Sequence, residues 1–472
     1  MNNQSENKPN VISQDELNAI YLNQKNFFNS GATIPYKYRI SKLKELKKAI
    51  VTNRIKLQEA LYSDLHKGSH ESYMTEVGLV LYELSYTIKN LKKWMKPKKV
   101  KTPFFLKPGK SQIACNPLGL TLIISPFNYP VKLTFSPLIS SIAAGNCTVI
   151  KTSELSKESS IRIAEILNNT FKNEFVYAIN GGDKEFSKNL LTLKWDHIFF
   201  TGSSAVGKEI VKASVDNYSR VTLELGGKTP GIIHSDAELS HAANKIVYGK
   251  FLNSGQTCIA PDYLLIHESV RDKFLKKLKE RIIKIYGANP YFCTHYGRII
   301  NDNHFLRLTA LIDKNKVYHG GSSLREDLYI EPTLLEYVSV NDPIMKEEIF
   351  GPLLPVLTYK EFSEVKEIIK HVSPQPLAAY LFADDKNIQK RFENEIECGG
   401  SCINHTIQHI ANVNLPFGGI GKSGTGSYNG YHGFIRFSHE KSIMKYTLRS
   451  DSPIIYPPYT GIKRKIVKFL LK

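Results

Sequence analysis

The chemistry of this chain starts at a cysteine. Cys258 sits at the centre of FLNSGQTCIAPDY (251–263), where Ser254, Gly255, Thr257 and Ala260 are small or polar and Pro261 follows. Such a stretch suits neither helix nor strand, so it reads as a loop. A thiolate carried on a loop above a rigid scaffold is placed to meet a substrate. A single cysteine is as readily a small buried hydrophobe, and three other stretches bear on the choice. In VTLELGGKTP, Glu224 ends an apolar run and precedes Gly226 and Gly227. A carboxylate there is a candidate general base with a raised pKa. The flanking Leu223 and Leu225 argue against a plain surface turn. In LIISPFNYP, an apolar strand runs into Asn128, whose side-chain amide can donate to a developing oxyanion. In HIFFTGSSAVGK, a strand is followed by Gly202-x4-Gly207 and then a helix, the layout that holds a pyrophosphate.

Two competing readings are weighed on the same residues. Gly202 to Lys208 also matches the opening of a Walker A loop, but Glu209 stands where Ser or Thr must hold magnesium. A kinase or ATPase is disfavoured. Cys398-x3-Cys402-x2-His405-x3-His409 gathers soft ligands, yet structural zinc sites separate their ligand pairs by a longer loop. No metal is expected there, and His409 is expected to line a tunnel or to have its polar atoms satisfied.

The elements that must position these residues follow from periodicity. Ser13-x-x-Glu16 predicts a capping box opening a helix with Leu17, Ile20, Tyr21, Phe27 and Phe28 on one side, stopped by Gly31. Ile40, Leu43, Leu46, Ile50 and Leu61 predict one second long helix, and a third is expected over about 71–94. Residues 96–117, basic and proline-bearing, read as a hairpin arm. Strands are expected at 118–124, 148–151, 175–178 and 197–201, alternating with helices up to Glu224, hence a mostly parallel sheet. After Cys258 the alternation resumes with PDYLLIH, the helix SVRDKFLKKLKERIIKIYG, LAAYLFADD, a helix over 387–397 and GGSCIN. Residues 133–150 carry no charge but contain Pro137, Gly145 and Asn146, so they suit a buried helix and strand better than a membrane span.

The chain of 472 residues can bury a sizeable core in two or three domains. Its formal charge of +19 implies an anionic neighbour, such as a membrane surface, a nucleic acid or a dinucleotide, or simply a basic proteome. Six scattered cysteines are not a secreted disulfide framework, and MNNQSENKPN lacks the apolar core of a signal peptide. A cytoplasmic protein with reduced thiols is expected, with no nucleic-acid partner.

Taken in order, these stretches resemble the aldehyde dehydrogenase superfamily, specifically its class 3 branch, which includes the fatty aldehyde dehydrogenases. The resemblance runs from about Ala49 to YPPY (456–459) and includes KTSE (151–154), EEIFGP (347–352) and LPFGGIGKSG (415–424). It implies an α/β chain of the aldehyde dehydrogenase fold. A Rossmann-like cofactor domain would take 1–98 and 119–225, with 420–436 packing back on it. An α/β catalytic domain would take 226–419, a small β oligomerisation arm 99–118 and 437–446, and a tail 447–472.

A flat carbonyl has no hydride to release until its carbon becomes tetrahedral, so the chemistry calls for a covalent nucleophile, assigned to Cys258. By resemblance, Asn128 and the Cys258 backbone N–H serve the thiohemiacetal oxyanion, and Glu224 activates the water that hydrolyses the thioester. Relatives that pass the acyl group to coenzyme A generally lack that glutamate, so a free acid is the expected product. Gly202, Ser203 and Gly207 match the pyrophosphate loop, Lys151 and Glu154 the adenosine ribose positions, and Glu348 and Phe350 the nicotinamide positions. A carboxylate at Glu154 favours NAD, with NADP possible. Thr152 and Cys147 depart from the usual family wording, and Thr152 would loosen the adenosine loop.

The expected substrate is an apolar aldehyde, fatty or polyene, and the expected assembly a homodimer. An acyl-CoA-forming relative and a catalytically silent member are the alternatives. GIKRKIVKFLLK predicts a short helix with Ile462, Ile466, Phe469 and Leu470 on one face and Lys463, Arg464, Lys468 and Lys472 away from it. In the fatty aldehyde dehydrogenases a corresponding tail leads past a gating helix to a membrane anchor; here the sequence stops before one. Contact with an anionic membrane surface and packing back onto the enzyme are both open.

Overall fold

The computed structural model describes residues 12–448 and 451–472. Its first helix, Gln14–Asn29, begins as the sequence predicts: Ser13 and Glu16 exchange both bonds of a capping box, and Leu17 and Ile20 are buried. The second helix is not one element. It breaks into Tyr36–Thr52 and Arg54–Leu65 at Asn53, whose side-chain amide donates to the Ala49 carbonyl at 2.9 Å. A side-chain donor competing for a helical carbonyl lets the chain turn there, while Leu43, Leu46, Ile50, Leu57 and Leu61 all remain buried. The third helix also carries an interruption. A π turn, Tyr73–Val77, precedes the regular Gly78–Trp94.

Two sheets carry the rest. The six-stranded sheet runs in space Gly424–Thr425, Arg220–Glu224, His197–Thr201, Leu120–Ile124, Cys147–Lys151, Val176–Ile179; only its first pairing is antiparallel. The seven-stranded sheet runs Val317–His319, Thr333–Leu335, Leu353–Tyr359, Tyr263–His267, Pro230–Ile233, Ala378–Phe382, Gly400–Ile403, again antiparallel only at its first pair. The uncharged stretch forms the helix Pro130–Ala144, buried at every residue, and then the buried strand Cys147–Lys151. A buried parallel strand has both faces covered, and here Val149 and Ile150 are buried on opposite faces while Thr148 has its hydroxyl bonded to Thr121 and Ser141.

In the six-stranded sheet the parallel strands end on one edge. Ser125, Thr201–Gly202 and Glu224 follow or close adjacent strands there, the place where open α/β sheets bind ligands. The arm is a three-stranded antiparallel sheet in which Lys110–Pro117 pairs with both Lys98–Val100 and Ser438–Lys445. The tail forms the helix Gly461–Leu470, capped by Thr460, with none of its residues buried. Among the described residues no helix is long and apolar enough to cross a membrane.

Candidate active site

The cysteine loop is held by backbone geometry before any side chain acts. After the helix Leu239–Phe251, Asn253, Ser254 and Gly255 take left-handed φ of 52°, 51° and 75°. A Cβ on Gly255 would lie 2.3 Å from the Gly351 carbonyl oxygen, so only glycine fits this close approach. Gln256 then ties the loop down. Its Nε2 donates to the Asn253 and Arg298 carbonyls (3.1 and 2.9 Å), and its Oε1 accepts from Ile300 N (3.0 Å). The Tyr380 hydroxyl holds the Ile259 carbonyl at 2.6 Å. Cys258 is left half-buried in this clamp. Burial pushes its thiol well up, and the nearby carboxyls of Glu348 and Glu224 push it further.

Asn128 follows the strand Leu120–Ile124 and is buried. Its Nδ2 donates to the Gln256 carbonyl at 3.0 Å. A primary amide nitrogen carries two hydrogens, so one remains to aim at an oxyanion. Glu224 closes the strand Arg220–Glu224, is 3% exposed, and has no hydrogen-bond partner on either carboxylate oxygen. Burial raises its pKa well above the usual carboxyl range, opposed only by the Arg436 guanidinium.

All three residues line one cavity of about 860 Å³. The same cavity is lined by Lys151, Glu154, Gly202, Ser203, Glu348 and Phe350. Lys151 and Glu154 form an ion pair of 3.0 Å with the lysine buried and the glutamate open. Ser203 caps the helix Ser204–Val215. Burial and Asp262 push Glu348 up to about 8 against the pull of Lys228. Phe350 takes a left-handed φ of 51°, and its ring meets Phe127 edge-on with centroids 5.7 Å apart. Gly207 is the one predicted cofactor residue that does not line the cavity. It faces Leu225, where a Cβ would come within 2.9 Å, so its place in the pattern is close helix–strand packing.

The aldehyde dehydrogenase family model matches residues 7–443 of this sequence. The chain belongs to the aldehyde dehydrogenase family. It is an NAD(P)-dependent oxidoreductase that takes an aldehyde to the carboxylic acid. It is 44% identical to a 4,4'-diaponeurosporen-aldehyde dehydrogenase of Staphylococcus aureus (strain NCTC 8325 / PS 47), covering 98% of this chain and 100% of that protein. It is 39% identical to the mouse (Mus musculus) dimeric NADP-preferring aldehyde dehydrogenase, over 94% of this chain and 98% of the other. The substrate-bound structure of Staphylococcus aureus AldH superposes with a TM-score of 0.94 at 43% identity, covering 97% of this chain and 99% of that one.

The cavity of this aldehyde dehydrogenase fits a dinucleotide. Buried polar atoms face it without partners: the Ser125 and Thr201 hydroxyls and both oxygens of Glu224. Gly226 supplies a bare stretch of backbone, since a Cβ there would fall 1.8 Å from a Glu348 carboxyl oxygen.

The cysteine–histidine stretch does not converge. Cys402 Sγ lies 3.4 Å from His409 Nδ1, while Cys398 turns to the Gly400 carbonyl and His405 to Thr406. Among the described residues no group of three or more His, Cys, Asp or Glu is placed to hold a metal. His409 departs from expectation in one respect: its Nε2 is buried without a partner. The ring packs against Tyr380, Phe417 and Gly400.

Sequence reasoning missed the charges beneath the site. Lys228 and Asp262 form a buried pair at 2.5 Å; Lys228 also donates to the Ile344 and Glu347 carbonyls, and Asp262 accepts from Ile349 N. Together they shape the segment that presents Glu348 and Phe350. Lys67 and Glu76, also buried and paired, stand behind Asn128. Only Glu76 lies in a helical segment, where its charge stands beside the buried Val77 and Val80; Lys67, Lys228 and Asp262 lie in loops, where no periodicity marks them.

Proposed function

We propose that Cys258 attacks the aldehyde carbonyl, that Asn128 and the Cys258 backbone N–H receive the oxyanion, and that Glu224 later deprotonates the hydrolytic water. The convergence of a thiol, an amide donor and an unpartnered carboxyl on one cavity supports this reading above all. The bound nicotinamide dinucleotide supplies a hydride acceptor. Around it, Gly202 and Ser203 would cradle the pyrophosphate at a helix start, with Gly207 letting that helix sit close to the sheet. Lys151 and Glu154 would hold the adenosine ribose, and Glu348 and Phe350 the nicotinamide end. Glu154 can accept from a ribose 2′-hydroxyl and repels a 2′-phosphate, so NAD is preferred and NADP tolerated. In this reading the six-stranded sheet carries the cofactor and the seven-stranded sheet the cysteine loop.

The substrate is a long apolar aldehyde. Whole-length similarity to an enzyme named for a polyene aldehyde supports a polyene or fatty chain. The arm, with the outer strand Ser438–Lys445 exposed along most of its length, supports a homodimer, as does the name of the mouse relative. The basic tail helix supports peripheral contact with a membrane by a cytoplasmic enzyme. The deciding experiment incubates purified protein with NAD and a panel of aldehydes from hexanal to long polyenes, following reduced cofactor. Turnover that rises with apolar chain length is expected. Turnover only with coenzyme A, or none with any aldehyde, would overturn the reading.

A further inference from the structure

We propose that the buried ion pair Lys67–Glu76 is a positioning device for Asn128. The inference rests on the reading of Asn128 as oxyanion donor and deepens it; neither Lys67 nor Glu76 touches a reacting atom.

The pair is 2.6 Å apart, with both side chains fully buried. Taking two charges out of water roughly cancels their attraction, so such a pair is a poor source of stability. Its bonds suggest another purpose. Lys67 Nζ donates to the Asn128 carbonyl at 3.0 Å and sits 4.1 Å from the centre of the Tyr129 ring. Glu76 Oε2 accepts from Val131 N at 2.8 Å and Lys132 N at 3.3 Å, the free donors at the start of Pro130–Ala144. One ion pair therefore grips the joint between strand and helix on both sides of Pro130, and Asn128 is the residue in that joint.

The grip extends to the cysteine loop. The Asn128 carbonyl takes a second bond from Asn253 Nδ2 at 2.9 Å, and that same amide reaches the Gln256 carbonyl at 3.1 Å. The Tyr129 hydroxyl meets Thr257 Oγ1 at 2.7 Å, one residue before the nucleophile. Glu71 joins from the same segment, its Oε1 accepting from Asn253 N at 2.9 Å. Local geometry is bent to build this. Glu76 lies within the π turn Tyr73–Val77, a form that clusters at functional sites. Gly78 closes the turn where a Cβ would stand 2.7 Å from the Tyr73 carbonyl oxygen. Lys67 follows His66, which is held left-handed at φ 52°.

The test is a mutant cycle on the full-length enzyme. The double variant K67M/E76Q removes both charges yet leaves an amide oxygen to cap the helix. It should melt near the parent and bind NAD as the parent does. Its pre-steady-state burst should slow about 10- to 100-fold, the scale on which misplacing a catalytic group acts. In an Asn128→Ala background the same pair of substitutions should cost less than about threefold, because its target is gone. Lys67→Gln, which keeps a neutral donor, should give an intermediate rate, and its own cycle with Asn128→Ala applies the same criterion should the double variant not fold. A folded K67M/E76Q enzyme with a parental burst, or a loss that simply adds to that of Asn128→Ala, would overturn the positioning role alone. An active parent whose burst is indifferent to Asn128→Ala would overturn the donor assignment and this proposal with it. A parent inactive on every aldehyde would instead remove the reading beneath both.

Discussion

Cys258 and Glu224 share an electrostatic problem. Each is reactive only when deprotonated, and burial raises the pKa of each, with the carboxyls of Glu348 and Glu224 raising the thiol further when they are ionised. Desolvation disfavours the charged form of both groups, so both shifts point upward. It follows that turnover should climb as pH rises from neutral into the alkaline range, since both groups are shifted upward. Replacing Cys258 with Ser should lower oxidation by about three orders of magnitude or more, because an alcohol ionises far less readily than a thiol. Glu224→Gln should act differently. The burst of reduced cofactor should survive at one equivalent per site, while steady turnover falls about 100-fold or more and loses its dependence on the carboxyl. Stopped-flow absorbance across pH separates the two variants. A Gln variant without a burst would assign Glu224 to activating the thiol instead of the water.

At the scale of elements, much was legible because its causes are local. The capping box from Ser13 to Glu16 is four residues long, and the strand His197–Thr201 is an apolar run with a glycine directly after it. Cys258, Asn128 and Glu224 each sit at a visible change from regular structure to loop. The break at Asn53 was hidden because apolar spacing continues across it, and only a side-chain bond to Ala49 marks it. The charges behind the site were hidden for a different reason: Lys67 and Asn128 lie 61 positions apart, and no local pattern encodes that meeting.

Glu71 shows what such a hidden contact does. Burial pushes its carboxyl from 4.5 up to about 7, partly offset by Lys67 and by the bond from Asn253 N. A carboxyl whose folded pKa is raised takes up its proton more readily in the native state. Its relative contribution is therefore most favourable below the ordinary value and is lost as pH rises through the window from 4.5 to about 7. Between those limits the parent should lose on the order of 2 kcal/mol relative to Glu71→Gln. Chemical denaturation of both proteins across that window measures it, and parallel curves would refute the assignment.

Across the whole molecule, a formal charge of +19 favours contact with anionic surfaces, and the tail is one place where basic and exposed apolar side chains meet. On the helix Gly461–Leu470, Ile462 and Phe469 are 72% and 81% exposed, and Lys463, Arg464, Lys465 and Lys468 accompany them, with Lys472 just beyond. The helix is capped by Thr460 and tied by Lys463 Nζ to the Tyr456 carbonyl at 2.8 Å, so its amphipathic shape exists without a partner surface. Ten helical residues are about 15 Å long, enough to lie on a bilayer and too few to cross one. Each basic side chain near an anionic surface contributes about 1 kcal/mol, an attraction that salt screens. A substrate that itself partitions into lipid would then be met where it resides. Full-length protein should co-sediment with phosphatidylserine vesicles at low salt and be released at high salt, whereas protein truncated after Tyr459 should stay in the supernatant under both conditions. Both forms should oxidise hexanal at similar rates. Equal vesicle binding by the two would rule out the tail as the membrane contact, and loss of hexanal activity on truncation would make the helix part of the active-site wall.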